Sequence, residues 1–171
     1  MKLLFFLLLL AGISQADNGI KNVSKYDLGP KTGLHMSDRI SGIWKMKEDT
    51  NSHNYFVLQN DEAEKDFMIT YMNHGGDNRG LEHFTFYFLD LNGTKYMACS
   101  NWNWENPGWI FLKVSQLSKF DITAQLVVDT NLYKMKSSQE LRGYFEKNAN
   151  NPAFVGDTIH FRKKFTFNDW K

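Results

Sequence analysis

The sequence predicts a mainly β protein, an antiparallel eight-stranded meander barrel with one C-terminal helix before the last strand. Three observations predict this class. Short segments with alternating apolar residues recur from Ile40 onward, Asn92-Gly93 separates two of them, and the period becomes helical once, over Ser137–Asn148. A parallel sheet is excluded because each parallel connection needs a crossover, usually a helix. Eight antiparallel strands instead close around an interior that side chains fill or that holds one small ligand.

Residues 1–16 have the three-part pattern of a removable export signal. Lys2 precedes the apolar run Leu3–Leu10, and Ser14-Gln15-Ala16 places small residues before a cut at Asp17. The run is too short to span a bilayer as a mature helix. We therefore expect a signal peptide and an exported protein, either periplasmic or secreted.

The remaining chain is expected to be an extended leader over residues 17–39 and a single domain over residues 40–171. A length of 171 residues suits about one domain. Loss of Lys2 leaves equal numbers of basic and acidic residues, which argues against nucleic acid or an anionic membrane as the main partner. The sequence contains no second long apolar segment, so we do not expect an integral membrane protein. Cys99 has no partner for an intrachain disulfide and is expected to be a small buried hydrophobe.

The strands before the helix are joined mostly by short polar links. They are predicted at Ile40–Lys47, Asn54–Gln59, Asp66–Met72, Glu82–Leu91, Thr94–Cys99, Trp109–Leu117 and Ile122–Asp129. Asn92-Gly93 is typical of a type I′ hairpin turn, which needs two residues with positive φ. Phe86 and Phe88 alternate with Tyr87 and Leu89, so this strand is expected to be covered on both faces or to line a cavity.

The helix is predicted to begin at Ser137, which forms a capping box with Glu140. Leu141, Tyr144 and Phe145 give it one apolar stripe that docks on the sheet. The last strand is predicted at Thr158–Phe167. Its alternation places Lys163 on the face of its apolar residues and Arg162 on the opposite face, although Lys163 as a lysine is expected to be an ordinary surface charge.

The order of elements, with Gly42-Ile43-Trp44 in the first strand and a basic last strand, resembles the lipocalin and wider calycin pattern. The resemblance implies that Trp44 lies at the closed end of the barrel and packs under an arginine, for which Arg162 is the candidate. An arginine over an indole gains about 0.5–2 kcal/mol. The usual disulfide of the family is missing here, and its second loop signature is not recognisable.

Family membership implies binding of a small, mostly apolar molecule, although some relatives bind haem or carry out catalysis. The chain is also similar to small exported bacterial proteins. We expect no cofactor.

The segment Asn73–His83 contains two histidines, an arginine and two carboxylates, interspersed with three glycines. His74 and His83, together with Asp77 and Glu82, are candidates for a metal site. Glu82 or His83 could act as a general base beside Arg79, or Arg79 alone could clamp a ligand carboxylate. The structural alternative is an ordinary long hairpin loop, and no metal-ligand spacing such as HExxH appears.

Trp102 and Trp104 share a face in an extended chain and are flanked by amides. Such aromatics suit stacking on sugar rings or lining a barrel mouth, but they equally suit plugging the barrel end. Tyr71 and Phe86 belong to an aromatic set that lines a cavity or simply forms the core.

The leading hypothesis is an exported protein that binds a small apolar or amphipathic molecule inside the barrel. The expected ligand contacts are Tyr71, Phe86, Arg79, Trp102 and Trp104, the last three at the entrance. One alternative is an enzyme on the same barrel that uses the His74–His83 loop. Another is glycan or cell-envelope binding through the Trp102/Trp104 loop.

Overall fold

A computed structural model describes residues 24–29, 40–47, 54–61, 66–73, 81–101 and 108–165. The strands are β1 (Gly42–Met46), β2 (Asn54–Asp61), β3 (Asp66–Asn73), β4 (Leu81–Leu91), β5 (Thr94–Asn101), β6 (Gly108–Leu117), β7 (Asp121–Val127) and β8 (Val155–Phe165). The helix α1 (Ser138–Asn148) lies between β7 and β8, flanked by 3₁₀ turns at Thr130–Lys134 and Pro152–Phe154. Among the described residues, no helix has both the length and the apolar character needed to cross a bilayer.

Each strand pairs antiparallel with the strand that precedes it and the strand that follows it in the chain. β1 pairs with β2 and also with β8, so the order β1 to β8 closes on itself. The predicted antiparallel, mainly β class with a helix before the last strand is confirmed. The last strand begins three residues earlier than its alternation predicts, at Val155 rather than Thr158.

The two ends of the barrel differ in their connections, because successive strands run in opposite directions. One end, which we call the hairpin end, carries the start of β1, the turn at Asn92-Gly93 and the turn at residues 118–120. The other, the loop end, joins β1 to β2, β3 to β4, β5 to β6 and β7 to β8. Asn92 has φ 52° and Gly93 has φ 82°, which confirms the hairpin turn that the Asn-Gly pair predicts.

Alternate residues of the strands point inward and form the barrel interior. This set is apolar and rich in aromatic rings. It comprises Ile40, Trp44, Met46, Phe56, Leu58, Phe86, Phe88, Met97, Cys99, Ile110, Leu112, Val114, Ile122, Ala124, Ile159 and Phe161. Edge-to-face contacts join Phe86 to Phe88, with ring centroids 5.5 Å apart, and Phe56 to Phe161, at 5.6 Å.

A second core lies outside the barrel, where α1 covers the outer faces of β4, β5 and β6. Phe145 of α1 packs edge-to-face against Tyr96 and Phe111, with ring centroids 5.0 and 4.9 Å apart. Tyr87 and Leu89 belong to the same core. β4 is therefore covered on both faces over residues 86–89, which explains the unbroken apolar run there.

Residues 24–29 belong to this packed structure although they fall within the predicted leader. Ser24 forms a two-bond bridge to Trp109 at the start of β6, with N···O distances of 2.9 and 2.7 Å. Leu28 is fully buried in the outer core. Arg142 of α1 donates to the Leu28 carbonyl at 3.4 Å. This segment therefore ties the helix to the barrel wall.

Side chains form hydrogen bonds with backbone groups at both ends of α1. Ser137 Oγ accepts a hydrogen bond from the Glu140 amide at 3.1 Å, as the capping box predicts. The Glu140 carboxylate accepts in return from the amide of Lys136, at 2.9 Å. At the other end, Lys113 of β6 donates to the Ala149 carbonyl, which places a positive charge where the helix dipole favours it.

Candidate functional site: the barrel interior and its hairpin end

Trp44 is fully buried at the hairpin end of the interior. Its indole Nε1 donates to the Ile40 carbonyl at 2.8 Å, so its polar atom is satisfied without water. Gly42 has φ 144°, a backbone conformation that residues with a Cβ rarely adopt. The Gly-x-Trp motif thus combines a special backbone conformation with the large side chain that occupies this end.

Lys163 of β8 covers the Trp44 ring. The two residues are directly paired across β1 and β8, and the Lys163 ammonium lies 5.1 Å from the ring centroid. Lys163 is only 7% exposed, and its Nζ donates to the Ser41 carbonyl at 2.9 Å. The hairpin end therefore holds a buried cation that an aromatic face and a backbone carbonyl stabilise.

Arg162 does not occupy the position predicted for it. Its side chain is exposed on the outer surface, and its Nε lies 3.6 Å from Asp121 Oδ1. In a strand, successive side chains point to opposite faces, so Arg162 and Lys163 cannot both reach Trp44. The expectation that Lys163 is an ordinary surface charge is wrong for the same reason. Its shared face with Ile159 and Phe161 is the sequence signal that identifies it as the inward cation.

Phe86 and Cys99 face each other on the interior wall as a pair across β4 and β5. Phe86 is fully buried, and Cys99 is 3% exposed. Burial raises the pKa of the Cys99 thiol to about 12. The thiol is therefore protonated at neutral pH and lacks the thiolate character of a nucleophile, in agreement with its expected role as a small buried hydrophobe.

The remaining candidates lie outside the described residues or have side chains that are not described. Arg79, His74, Trp102 and Trp104 belong to the first group. Tyr71 and His83 lie on described strands, with Tyr71 paired to Phe56 and His83 paired to Thr70.

The described strand ends nevertheless locate the two predicted loops. β3 ends at Asn73, β4 begins at Leu81, β5 ends at Asn101 and β6 begins at Gly108. Both connections therefore leave the barrel at the loop end, opposite Trp44 and Lys163. In the part of the chain that the structure describes, no three His, Cys, Asp or Glu residues are grouped as metal ligands would be.

Two buried tyrosines of the outer core differ in the hydrogen bonding of their hydroxyl groups, a difference that the sequence does not reveal. The Tyr87 hydroxyl accepts from the Leu28 amide at 3.3 Å, and burial together with the nearby Asp27 raises its pKa. The Tyr96 hydroxyl is buried with no hydrogen-bond partner among the described residues. Burial raises the pKa of Tyr96 to about 12. Tyr96 therefore bears an unpaired polar group beneath α1.

Comparisons with protein-family models, with curated proteins and with solved structures found no match for this chain.

Proposed function

We propose that this is an exported, lipocalin-like barrel protein that binds one small apolar or amphipathic molecule in its interior. The observation that carries the proposal is the chemistry of the inner wall. Apart from Lys163 at the hairpin end, the buried residues described there are apolar, and four are phenylalanines. A concave apolar wall with few polar groups is the usual character of a small-molecule site.

The asymmetry of the barrel supports entry of the ligand at the loop end. Trp44, Ile40 and Lys163 are packed together at the hairpin end and are held by hydrogen bonds to the backbone. The connections at the other end include those that contain Arg79 and Trp102. In this proposal, these residues border the entrance, where loops on a rigid barrel commonly carry binding residues.

The proposed ligand lies against the phenylalanines of β4. Phe86 and Phe88 are adjacent inward residues whose rings contact each other, and both are at most 3% exposed. Because neighbouring side chains already cover both rings, an apolar chain or ring that packs against them would take the place of those neighbours. Each buried CH₂ group of such a ligand contributes about 0.8 kcal/mol to binding. The thiol of Cys99 beside Phe86 adds no charge to this surface at neutral pH.

The experiment is a fluorescence titration of the protein, stripped of lipid, with N-phenylnaphthylamine. This neutral apolar probe becomes bright when it leaves water. The test variant is Phe88→Leu, which changes the interior wall. The matched control is Phe111→Leu, which makes the same change in the outer core under α1. Thermal unfolding of both variants shows whether they are folded to the same degree.

We expect saturable binding of one probe per chain, weakened severalfold by Phe88→Leu and unaffected by Phe111→Leu. Competition by a long-chain fatty acid extends the result to amphipathic ligands. Absence of saturable binding would indicate a barrel filled by its own side chains and would overturn the proposal. Equal effects of the two variants would also overturn it, because binding would then follow stability rather than the interior wall.

A further inference from the structure

The outer surface of β7, β8, β1 and the turn at residues 118–120 has a strong excess of positive charge. We call this surface the basic face. Its cations are Lys45, Lys47, Lys119, Arg162 and Lys164. Of the acidic residues described on these elements, Asp121 lies among the cations, and Asp157 lies near the start of β8 at the loop end. The basic face is therefore positive although the whole chain is nearly neutral.

The charge of Asp121 is already shared between two of these cations. Its Oδ1 lies 3.4 Å from Lys47 Nζ and 3.6 Å from Arg162 Nε. These contacts join the outer surfaces of β1, β7 and β8. Asp157, the other carboxylate on the described parts of these strands, lies near the start of β8, so the described residues of the face keep a net positive charge after the pairs are counted.

Phe120 projects from the basic face at the hairpin end. It is 54% exposed, whereas the other phenylalanines whose side chains the structure describes are buried. The Lys119 ammonium lies 5.3 Å from its ring centroid. The Phe120 carbonyl accepts from the Lys163 amide at 2.8 Å, which holds the turn beside Arg162 and Lys164. An exposed aromatic ring is thus fixed within a group of cations.

We propose that the basic face docks on an anionic phospholipid bilayer, with Phe120 entering the interface and the surrounding cations contacting headgroups. This combination of an apolar tip and flanking lysines suits the boundary between headgroups and acyl chains. A soluble polyanion supplies the negative charge but no apolar layer for Phe120. The attraction is local, because charges separated by more than about 8–10 Å are screened at physiological salt. This proposal does not depend on a ligand in the interior.

The structure provides a matched control at a different place. Tyr133 is 52% exposed, and the Lys134 ammonium lies 5.6 Å from its ring centroid. It therefore repeats the local pair formed by Phe120 and Lys119. It lies in the 3₁₀ turn between β7 and α1, beyond the loop end of β7 and away from the basic face. If any exposed aromatic residue bound the bilayer nonspecifically, substitution of Tyr133 would weaken binding as much as substitution of Phe120.

The test is co-sedimentation of the mature protein with vesicles of phosphatidylcholine, with and without a quarter of phosphatidylglycerol. Phe120→Ser and the double variant Lys119→Ser/Lys164→Ser are compared with Tyr133→Ser and Lys134→Ser. All of these side chains are exposed, so thermal unfolding should be unchanged. The double variant leaves the ion pairs of Asp121 intact. Single-stranded DNA is added in a parallel experiment as a soluble polyanion.

We expect binding to the anionic vesicles only, with affinity that falls as salt is added. Each lysine removed should weaken binding about fivefold, and Phe120→Ser should weaken it severalfold, while the two control variants bind as the parent does. Equal binding to neutral vesicles, no binding at all, or equal losses in the controls would overturn the proposal. Tight DNA binding that is indifferent to Phe120→Ser would also overturn it and would identify a polyanion site.

Discussion

Lys163 lies over the Trp44 ring inside the barrel, with its ammonium 5.1 Å from the ring centroid. The pair is directly opposed across β1 and β8, the two strands whose pairing closes the strand order. Trp44 donates to Ile40, and Lys163 donates to Ser41. Both hydrogen bonds end on the backbone just before β1, so one aromatic residue and one cation fix the start of the first strand to the last strand.

The first prediction concerns this pair. Lys163→Met keeps a long side chain but removes the cation and leaves the Ser41 carbonyl without its bond to Nζ. We expect a loss of about 2 kcal/mol in the free energy of unfolding, from the cation–π contact and the hydrogen bond together. The control, Arg162→Met, removes an exposed cation and should cost less than about 1 kcal/mol. Urea unfolding measures both, and a larger loss for Arg162→Met would contradict the assignment.

The second prediction separates two buried tyrosines of the outer core. Tyr96→Phe removes a hydroxyl with no partner among the described residues and should leave stability unchanged or raise it by up to about 1 kcal/mol. Tyr87→Phe removes the acceptor of the Leu28 amide and should cost about 1 kcal/mol. Urea unfolding of the two variants provides the comparison. A loss for Tyr96→Phe as large as that for Tyr87→Phe would show that its hydroxyl has a partner.

The third prediction concerns pH and the hydrogen bond from the Tyr144 hydroxyl to Asp129 Oδ2, at 2.7 Å. Burial alone would raise the pKa of Asp129. Hydrogen bonds from the Asn131 backbone, the Tyr144 hydroxyl and the Asn131 side chain, with the charge of Lys134, outweigh it and hold this pKa below its usual value. Since the folded pKa is lowered, the stabilisation is present above the unfolded value and is lost as pH falls through the folded value.

Tyr144→Phe should therefore cost about 1 kcal/mol at pH 7, a modest value because the site is only partly buried. The difference from the parent should shrink as the pH falls below about 4. Unfolding curves recorded from pH 7 to pH 3 measure it. Tyr133→Phe, at an exposed tyrosine, should show no such difference at either pH. A constant cost for Tyr144→Phe across this range would exclude the role of the Asp129 charge.

The fourth prediction compares two exposed glycines. A Cβ added at either Gly143 or Gly93 would meet no atom within 4 Å, so only the backbone decides the effect. Gly143 lies within α1, where alanine is favoured by about 1 kcal/mol. Gly93 has φ 82°, where alanine costs about 1–2 kcal/mol. Gly143→Ala should raise the melting temperature and Gly93→Ala should lower it. A shift of the same sign in both would contradict the turn and helix assignments.

Local signals in the sequence predict a structural feature correctly where one physical rule determines that feature. The positive φ values at Asn92 and Gly93 and the cap at Ser137 follow from single residues, and the alternation of β8 follows from strand geometry. The charge of Lys163 predicts a surface position, but its place on the apolar face of β8 determines that it is buried. The packing of residues 24–29 cannot be predicted from local patterns, because the contacts of Leu28 with Tyr87 and Arg142 join distant parts of the chain.

The candidate site could be predicted only in part. The sequence places Phe86 among aromatic residues that form either a core or a cavity wall, and the structure shows that it is buried in the barrel interior. Sequence alone could not decide which face of β4 points inward, because both faces are apolar. α1 covers the face of Tyr87 and Leu89 and thereby resolves the ambiguity. The identity of the ligand depends on the shape of the barrel interior, which no short sequence motif encodes.

The most direct test of the central claim is a native mass spectrum of the protein, stripped of lipid and then incubated with excess N-phenylnaphthylamine or a long-chain fatty acid. We expect one added molecule per chain, lost when the protein is denatured, with reduced occupancy in Phe88→Leu but not in Phe111→Leu. A chain that stays at its bare mass with both compounds, while it remains folded, would contradict the claim that the barrel interior is a binding site.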